Sequence, residues 1–182
     1  MQTTPTPIED LFILTPRVFA DERGYFFESY SKEKLLALGL DYDFIQDNQS
    51  QSCYGTIRGL HFQQGEYSQA KLVRVLQGRV LDVAVDLRKN SATYGQLYAV
   101  ELSDENKLQL LIPRGFAHGF SVLSESATFA YKCDNAYNKA SEGGILFNDP
   151  ALGIDWQIAA EDAILSEKDT VLPTLDQLKT CF

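Results

Sequence analysis

The chain has 182 residues, which is the size of one ordinary domain. Its composition is 45% hydrophobic, 12% aromatic and 23% charged, which predicts a globular protein with a substantial core and excludes extensive disorder. Sixteen basic against 25 acidic side chains give a net charge of −9, so we expect no nucleic-acid partner.

The N-terminal segment has neither the basic nor the apolar region of a secretory signal. Apolar runs also stay well short of the roughly 20 residues that cross a bilayer. We therefore expect a cytoplasmic protein without a membrane partner. The three cysteines, Cys53, Cys133 and Cys181, form no CxxC pair and are odd in number, so we predict reduced thiols rather than a disulfide framework or a zinc ribbon.

The first predicted element is a helix over Lys32–Leu38, with Ser31 as its N-cap and Gly39 as its stop. Two runs rich in β-branched residues follow, Lys71–Leu76 and Arg79–Leu87. The Gln77-Gly78 pair between them predicts a tight hairpin turn. In the second run apolar residues occupy every other position, which predicts a strand with one buried face.

Further short strand patterns continue along the chain: Leu97–Leu102, Leu108–Ile112, Gly119–Leu123 and Ala127–Cys133. A final turn is predicted near Gln177–Lys179, within a C-terminal third that is rich in loops. Many short strands separated by turns predict an all-β, mainly antiparallel sandwich or barrel with a few short helices. No repeat or linker interrupts the sequence, so we predict one domain over residues 1–182, with the C-terminal third packed on the barrel.

The sequence contains only two histidines, His61 and His118, and both lie in apolar segments punctuated by glycine. Pro113–His118 has the PxGxxH form of the second motif of cupin β-barrels. Metal-binding cupins take further ligands from an earlier HxH motif, whereas His61 is followed by Phe62-Gln63. We therefore predict no metal, and two imidazoles without a ligand set favour acid/base chemistry.

Several segments together resemble, in order, the successive motifs of the dTDP-4-dehydrorhamnose 3,5-epimerase family. The resemblance spans roughly residues 8–173. The matching segments are Asp21–Tyr30, Gln46–Asn48, Arg58–Gln63, Gln69–Val75, Ile112–Phe120, Tyr131–Cys133, Asn148–Trp156 and Leu165–Asp169.

This resemblance implies a homodimeric, cupin-type jelly-roll β-barrel that uses no cofactor. The family inverts C3 and C5 of a dTDP-linked 4-keto-6-deoxyhexose, the third step towards dTDP-L-rhamnose. By position, His61 is the general base, Asp169 is its carboxylate partner and Tyr131 is the proton donor on the other face. Lys71 stabilises the enolate oxygen, which is the charge that makes a carbon next to a ketone acidic.

The resemblance also implies a set of substrate-binding residues. Because the substrate carries a diphosphate and the chain is acidic, cations must hold it locally, and Arg23 and Arg58 take that role. Tyr137 stacks on the nucleotide. The remaining contacts are assigned to Glu28, Gln46, Asp47, Asn48, His118, Glu142 and Lys168.

Strict alternation sends Arg58 and His61 to opposite faces of a strand, although both are expected to contact the ligand. We therefore predict a bulge or bend at Gly59. The chain departs from the family at Ala136, where many members have a tyrosine, and at Leu111, where a tryptophan is common. These departures concern nucleotide packing or the barrel wall.

Other interpretations remain open at this point. Lys71 at the start of a strand is also typical of a charged sheet edge, and Asp169 is also typical of a turn. We interpret Asp82 and Asp86, which share one face of a predicted strand, as structural. The alternative functions are an epimerase acting at C3 or C5 only, a 3,4-ketoisomerase, and a cupin that binds a sugar nucleotide without catalysis.

Overall fold

In the computed structural model, which describes residues 1–179 and residue 182, most of the backbone before Gly144 runs in β-strands. The strands are β1 (Gln2–Pro5), β2 (Phe12–Thr15), β3 (Val18–Asp21), β4 (Gly24–Phe27), β5 (Gln46–Cys53), β6 (Ile57–Gln63), β7 (Lys71–Gln77), β8 (Arg79–Asp86), β9 (Leu97–Ser103), β10 (Gln109–Ile112), β11 (Phe116–Val122), β12 (Ser126–Cys133) and β13 (Glu142–Gly144). The helix α1 spans Lys32–Ala37. Short 3-10 helices lie at Gly65–Tyr67, Lys139–Ser141, Ala160–Asp162, Asp169–Val171 and Leu175–Gln177.

Two antiparallel sheets build the structure. One has the strand order β1-β2-β10-β7-β12-β5, and the other has the order β13-β6-β11-β8-β9. The strands β3 and β4 pair only with each other, as a separate hairpin. Side chains from both sheets form a shared apolar core that includes Val73, Ala84 and Phe129. The predicted all-β, mainly antiparallel architecture is confirmed.

The predicted hairpin between the two central strands is wrong. β7 pairs with β10 and β12 in one sheet, whereas β8 pairs with β9 and β11 in the other. Gly78, at φ +82°, turns the chain from one sheet to the other. Two strands joined by a glycine turn satisfy the same sequence pattern whether they pair or cross between layers, so the pattern did not distinguish them.

The prediction that β8 has one buried face is also wrong, because both faces are buried from Val80 to Asp86. Its outer face packs against a second apolar cluster that includes Ile145 and Trp156 from the C-terminal third. Its inner face carries Val80 and Ala84, which belong to the core between the sheets. The polar positions of β8 therefore point into the protein rather than to solvent.

The helix prediction is confirmed. The Ser31 side chain accepts a hydrogen bond from the backbone N–H of Lys34 at 3.3 Å, and Gly39 follows the helix at φ +80°. The predicted final turn is found as the 3-10 helix Leu175–Gln177, two residues earlier than expected. Within residues 1–179 and 182, no helix combines the length and the apolar character needed to cross a bilayer.

Strand β5 was not predicted. Its sequence is polar throughout, from Gln46 to Cys53, and it contains no apolar alternation. It nevertheless pairs with β12 over its full length, at the edge of the six-stranded sheet. Its side chains meet either solvent or the cavity described below, so neither face requires an apolar pattern.

Of the cysteines, Cys53 and Cys133 are free thiols, in agreement with the prediction. Cys181 lies outside the described residues.

Candidate active site

A cavity of about 680 Å³ opens between the two sheets. Its walls come from β5, β7 and β12 of one sheet, from β6 and β11 of the other, and from the segment 164–169. The predicted site residues that line it are His61, Tyr131, Asp169, Lys71, Asn48, Arg58, His118 and Lys168. Residues that are distant in sequence thus line one cavity.

His61 and Asp169 form a hydrogen-bonded pair in the cavity. His61 Nε2 lies 2.6 Å from Asp169 Oδ1, and the Asp169 side chain is only 3% exposed. Burial lowers the pKa of His61 below its usual 6.5, and the Asp169 carboxylate opposes that shift. At neutral pH the ring is therefore mainly uncharged and able to accept a proton, while the carboxylate holds it in place.

A bulge at Gly59 brings Arg58 and His61 to the same cavity, as predicted. On β11, His118 pairs with His61 and Phe120 pairs with Arg58, so two residues of β6 lie opposite Gly119 alone. The extra residue reverses the alternation of β6. A Cβ at Gly59 would lie 2.5 Å from the Gly119 Cα, so the close approach of the two backbones requires glycine.

Tyr131 and Lys71 reach the cavity from the opposite sheet. Tyr131 lies on β12 and packs against the core between the sheets, with its ring centroid 6.2 Å from that of Phe129. Burial raises the pKa of Tyr131 above 10.0, so its hydroxyl stays protonated and can donate. His61 and Tyr131 therefore face one cavity from different sheets.

Lys71 begins β7, an interior strand between β10 and β12, so the alternative of a charged sheet edge is wrong. Burial lowers the pKa of Lys71, whereas Cys133 and Asp82 act to raise it. A partly buried amine beside a carbonyl group can stabilise negative charge on the carbonyl oxygen.

His118 is paired with a carboxylate that we did not assign to the site. Its Nε2 lies 2.9 Å from Asp82 Oδ2, and both side chains are buried. The sequence shows only that Asp82 occupies alternate positions with the apolar residues Val80 and Ala84; the structure shows that this is the inner face of a strand buried on both sides. Because we took the opposite face of this strand for its only buried face, we interpreted Asp82 as structural.

Two cationic side chains and one amide side chain line the cavity and can bind a ligand: Arg58, Lys168 and Asn48. Arg58 is anchored by a hydrogen bond from its Nε to Ser52 Oγ at 3.0 Å, and Lys168 contacts the Glu142 carboxylate. Lys168 lowers the pKa of Glu142. Asn48 accepts a hydrogen bond from Gln46 at 2.9 Å.

The other predicted binding residues do not line the cavity in this chain. Glu142 lies beside the cavity, where its carboxylate pairs with Lys168, a residue of the cavity wall. Tyr137 lies next to Glu142, with its hydroxyl 3.4 Å from Glu142 Oε2. Asp47 pairs with Lys132 at 2.9 Å, next to Gln46 at the start of β5.

Arg23 and Glu28 lie at the exposed β3–β4 hairpin and pair with Asp21 and Lys34. The structure therefore does not bring these two residues to the cavity.

Neither departure from the family pattern affects the cavity. Leu111 is fully buried in a cluster with Leu14, Leu35 and Leu72, and Ala136 lies in the exposed loop after β12.

Within residues 1–179 and 182, no group of three His, Cys, Asp or Glu side chains is arranged to hold a metal ion. The absence of a cofactor stays a prediction from the sequence.

Comparison with known proteins then decides the family. The family model described as dTDP-4-dehydrorhamnose 3,5-epimerase matches residues 5–177. The chain belongs to the dTDP-4-dehydrorhamnose 3,5-epimerase family.

Relatives in this epimerase family match over nearly the whole chain. The Salmonella typhimurium dTDP-4-dehydrorhamnose 3,5-epimerase is 55% identical over 173 residues, which are 94% of each chain. The crystal structure of the Elizabethkingia anophelis enzyme is 59% identical, with a TM-score of 0.93 and 97% of each chain covered.

A Legionella pneumophila dTDP-6-deoxy-D-glucose-3,5-epimerase was solved in complex with dTDP-4-keto-L-rhamnose. It is 47% identical, with a TM-score of 0.93, over 97% of this chain and 94% of that one. The predictions of the epimerase family, of an isomerase and of a cupin-type jelly roll are confirmed.

Proposed function

We propose that the protein inverts C3 and C5 of dTDP-4-dehydro-6-deoxy-D-glucose through an enolate, giving dTDP-4-dehydro-L-rhamnose for dTDP-L-rhamnose synthesis. One observation carries the assignment of residues. A histidine paired with a buried carboxylate faces the same cavity as a protonated tyrosine on the opposite sheet. Family membership supports the substrate class, and the ligand of the Legionella pneumophila structure agrees with it.

The proton transfer follows from that arrangement. The neutral His61 removes the proton from a carbon next to the ketone, and the electron pair of the C–H bond moves to the carbonyl oxygen. Lys71 stabilises the resulting enolate oxygen. Tyr131 then donates its proton to the other face of the same carbon, and the ketone forms again. Inversion requires both groups, because a single group returns the proton to the face from which it came.

The cations at the cavity match the diphosphate of the substrate. Arg58, fixed by Ser52, offers two or more donors in a planar arrangement, and Lys168 adds a second positive charge. We assign Asn48 and His118 to polar contacts inside the cavity. Glu142 and Tyr137 belong to its rim, where Tyr137 is exposed and free to stack on a nucleotide base.

Product analysis tests this function directly. Incubated with dTDP-4-dehydro-6-deoxy-D-glucose, the protein is expected to give a product inverted at both C3 and C5, as read by NMR. Inversion at one carbon would indicate a single-centre epimerase, and movement of the carbonyl group would indicate a ketoisomerase. Tight binding without any conversion would indicate a non-catalytic cupin.

The exposed hairpin supports a homodimer as the active form. Phe26, Tyr25 and Phe19 are 69%, 58% and 51% exposed, which is unusual for three large apolar side chains on one small hairpin. Arg23 lies at the tip of this hairpin, and Glu28 follows it. A second copy that covers the hairpin would bring these two residues to its own cavity and so complete the predicted binding set.

We further propose that residues 1–182 form one domain. A cytoplasmic location stays a prediction from the sequence.

Phe26→Ser is expected to break this dimer. The wild-type protein should sediment with twice the mass of the chain, and the variant should sediment as a monomer with a KM raised about tenfold or more. Tyr94→Ser, at an exposed tyrosine outside the hairpin, is the matched control and should remain dimeric. A wild-type monomer with full turnover would contradict the dimer.

A further inference from the structure

Asp82 is a fully buried carboxylate with one unused oxygen. Its Oδ2 lies 2.9 Å from His118 Nε2, and its Oδ1 has no hydrogen-bond partner in the described part of the chain. Buried carboxylate oxygens are normally satisfied, because leaving one without a donor opposes folding. An exception on the inner face of a strand next to the cavity therefore requires a reason.

A second aspartate on the same strand shows that burial alone is not that reason. Asp86 lies four residues further along β8, on the same face, and is equally buried. Its two oxygens accept hydrogen bonds from Arg88, Ser91 and Thr93. Asp86 is thus a satisfied structural group, as we had interpreted both aspartates, whereas Asp82 is not.

The surroundings of Asp82 connect it to the cavity. On β11, His118 lies opposite Ala84, so Asp82 is its diagonal neighbour on the same face of the sheet. His118 lines the cavity, whereas Asp82 itself does not. Lys71, which also lines the cavity, is close enough for the Asp82 carboxylate to raise its pKa against the effect of burial.

We infer that Asp82 is a positioning residue for the epimerisation, which holds His118 in place and maintains the positive charge on Lys71 that stabilises the enolate oxygen. The inference rests on the function proposed above. A carboxylate that accepts the N–H of His118 Nε2 fixes both the ring and its tautomer. The same negative charge favours an ammonium group on Lys71, which burial disfavours. Asp82 therefore acts on the enolate through two neighbours and does not touch the substrate.

Asp82→Asn separates this role from a purely structural one. The side chain keeps its size and loses its charge, so kcat should fall about tenfold to a hundredfold, the usual range for a group that orients an active-site residue. KM and the affinity for dTDP, measured by calorimetry, should stay within about threefold. Asp86→Asn is the matched control: its melting temperature should fall, because it breaks a buried network, while kcat measured below that temperature should not change.

A double-mutant cycle tests whether Asp82 acts through its neighbour. Asp82→Asn should lower kcat by a much smaller factor in a His118→Asn background than in the wild-type protein, because the effects of residues that act as a unit are not additive. If Asp82→Asn does not fold, Asp82→Glu, which keeps the charge but displaces it, should show the same selective loss of kcat.

Three results would overturn the role of Asp82. These are a kcat within about threefold of wild type in the folded variant, equal losses of kcat and dTDP affinity, and additive losses in the double variant. A wild-type protein that fails to convert the substrate in the same assay would overturn the proposed function, and this role with it. An active wild type beside an unimpaired Asp82→Asn would overturn the role alone.

Discussion

Replacing His61 with asparagine is expected to lower turnover by two or more orders of magnitude. This is the usual contribution of a positioned general base, and it corresponds to at least about 2.7 kcal/mol of transition-state stabilisation. Asparagine retains a polar side chain near Asp169 but cannot accept a proton from carbon. The loss should appear in kcat, because Arg58 and Lys168, the cations that we propose hold the diphosphate, are unchanged.

Two measurements would show that the loss of turnover lies in the chemical step and not in folding or binding. Circular dichroism should show a folded His61→Asn variant, and calorimetry should show dTDP binding close to that of the wild type. Because burial lowers the pKa of His61, the wild-type kcat/KM should hold as the pH falls towards 6.5 and decline only below it. Near-normal turnover in the folded variant would contradict the role given to His61.

Replacing Tyr131 with phenylalanine is expected to stop inversion while it leaves the first proton transfer in place. The phenol is the proposed donor on the opposite face, so without it we expect the enolate to be protonated again only by His61. Turnover should therefore fall by two or more orders of magnitude. In deuterated water, the recovered substrate should still gain deuterium next to the ketone without a change of configuration.

Tyr94→Phe is the matched control for this variant, since it removes the hydroxyl from an exposed tyrosine outside the cavity. It should turn over at the wild-type rate. If Tyr131→Phe also produces inverted product within about threefold of that rate, another group donates the proton and the assignment of Tyr131 is wrong.

Much of the fold was predictable because local patterns report on local structure. The helix at Lys32 has a cap, a polar first turn and a glycine stop, and all three act within a few residues. The central strands were recognised for the same reason. Their pairing was not, because the Gly78 turn looks the same in a hairpin and in a crossing between sheets. The polar strand β5 was missed because it is held by backbone pairing with β12.

Some features of the site were also predictable from the sequence, and others were not. The bulge at Gly59 followed from a conflict between alternation and the expected ligand contacts of Arg58 and His61, and the structure contains it. The pairing of His61 with Asp169 spans 108 residues, so no local pattern could reveal it, and only the family resemblance suggested it. Asp82 was interpreted as structural because a strand buried on both faces hides which face is the inner one.

The position of solvent hydrogen in the product tests the central claim most directly. When the wild-type protein converts dTDP-4-dehydro-6-deoxy-D-glucose in deuterated water, NMR of the product should show deuterium at both C3 and C5. Each deuterium should lie on the face opposite the proton that left. Inverted product that carries no solvent deuterium at either carbon would contradict removal of one proton by His61 and delivery of another by Tyr131.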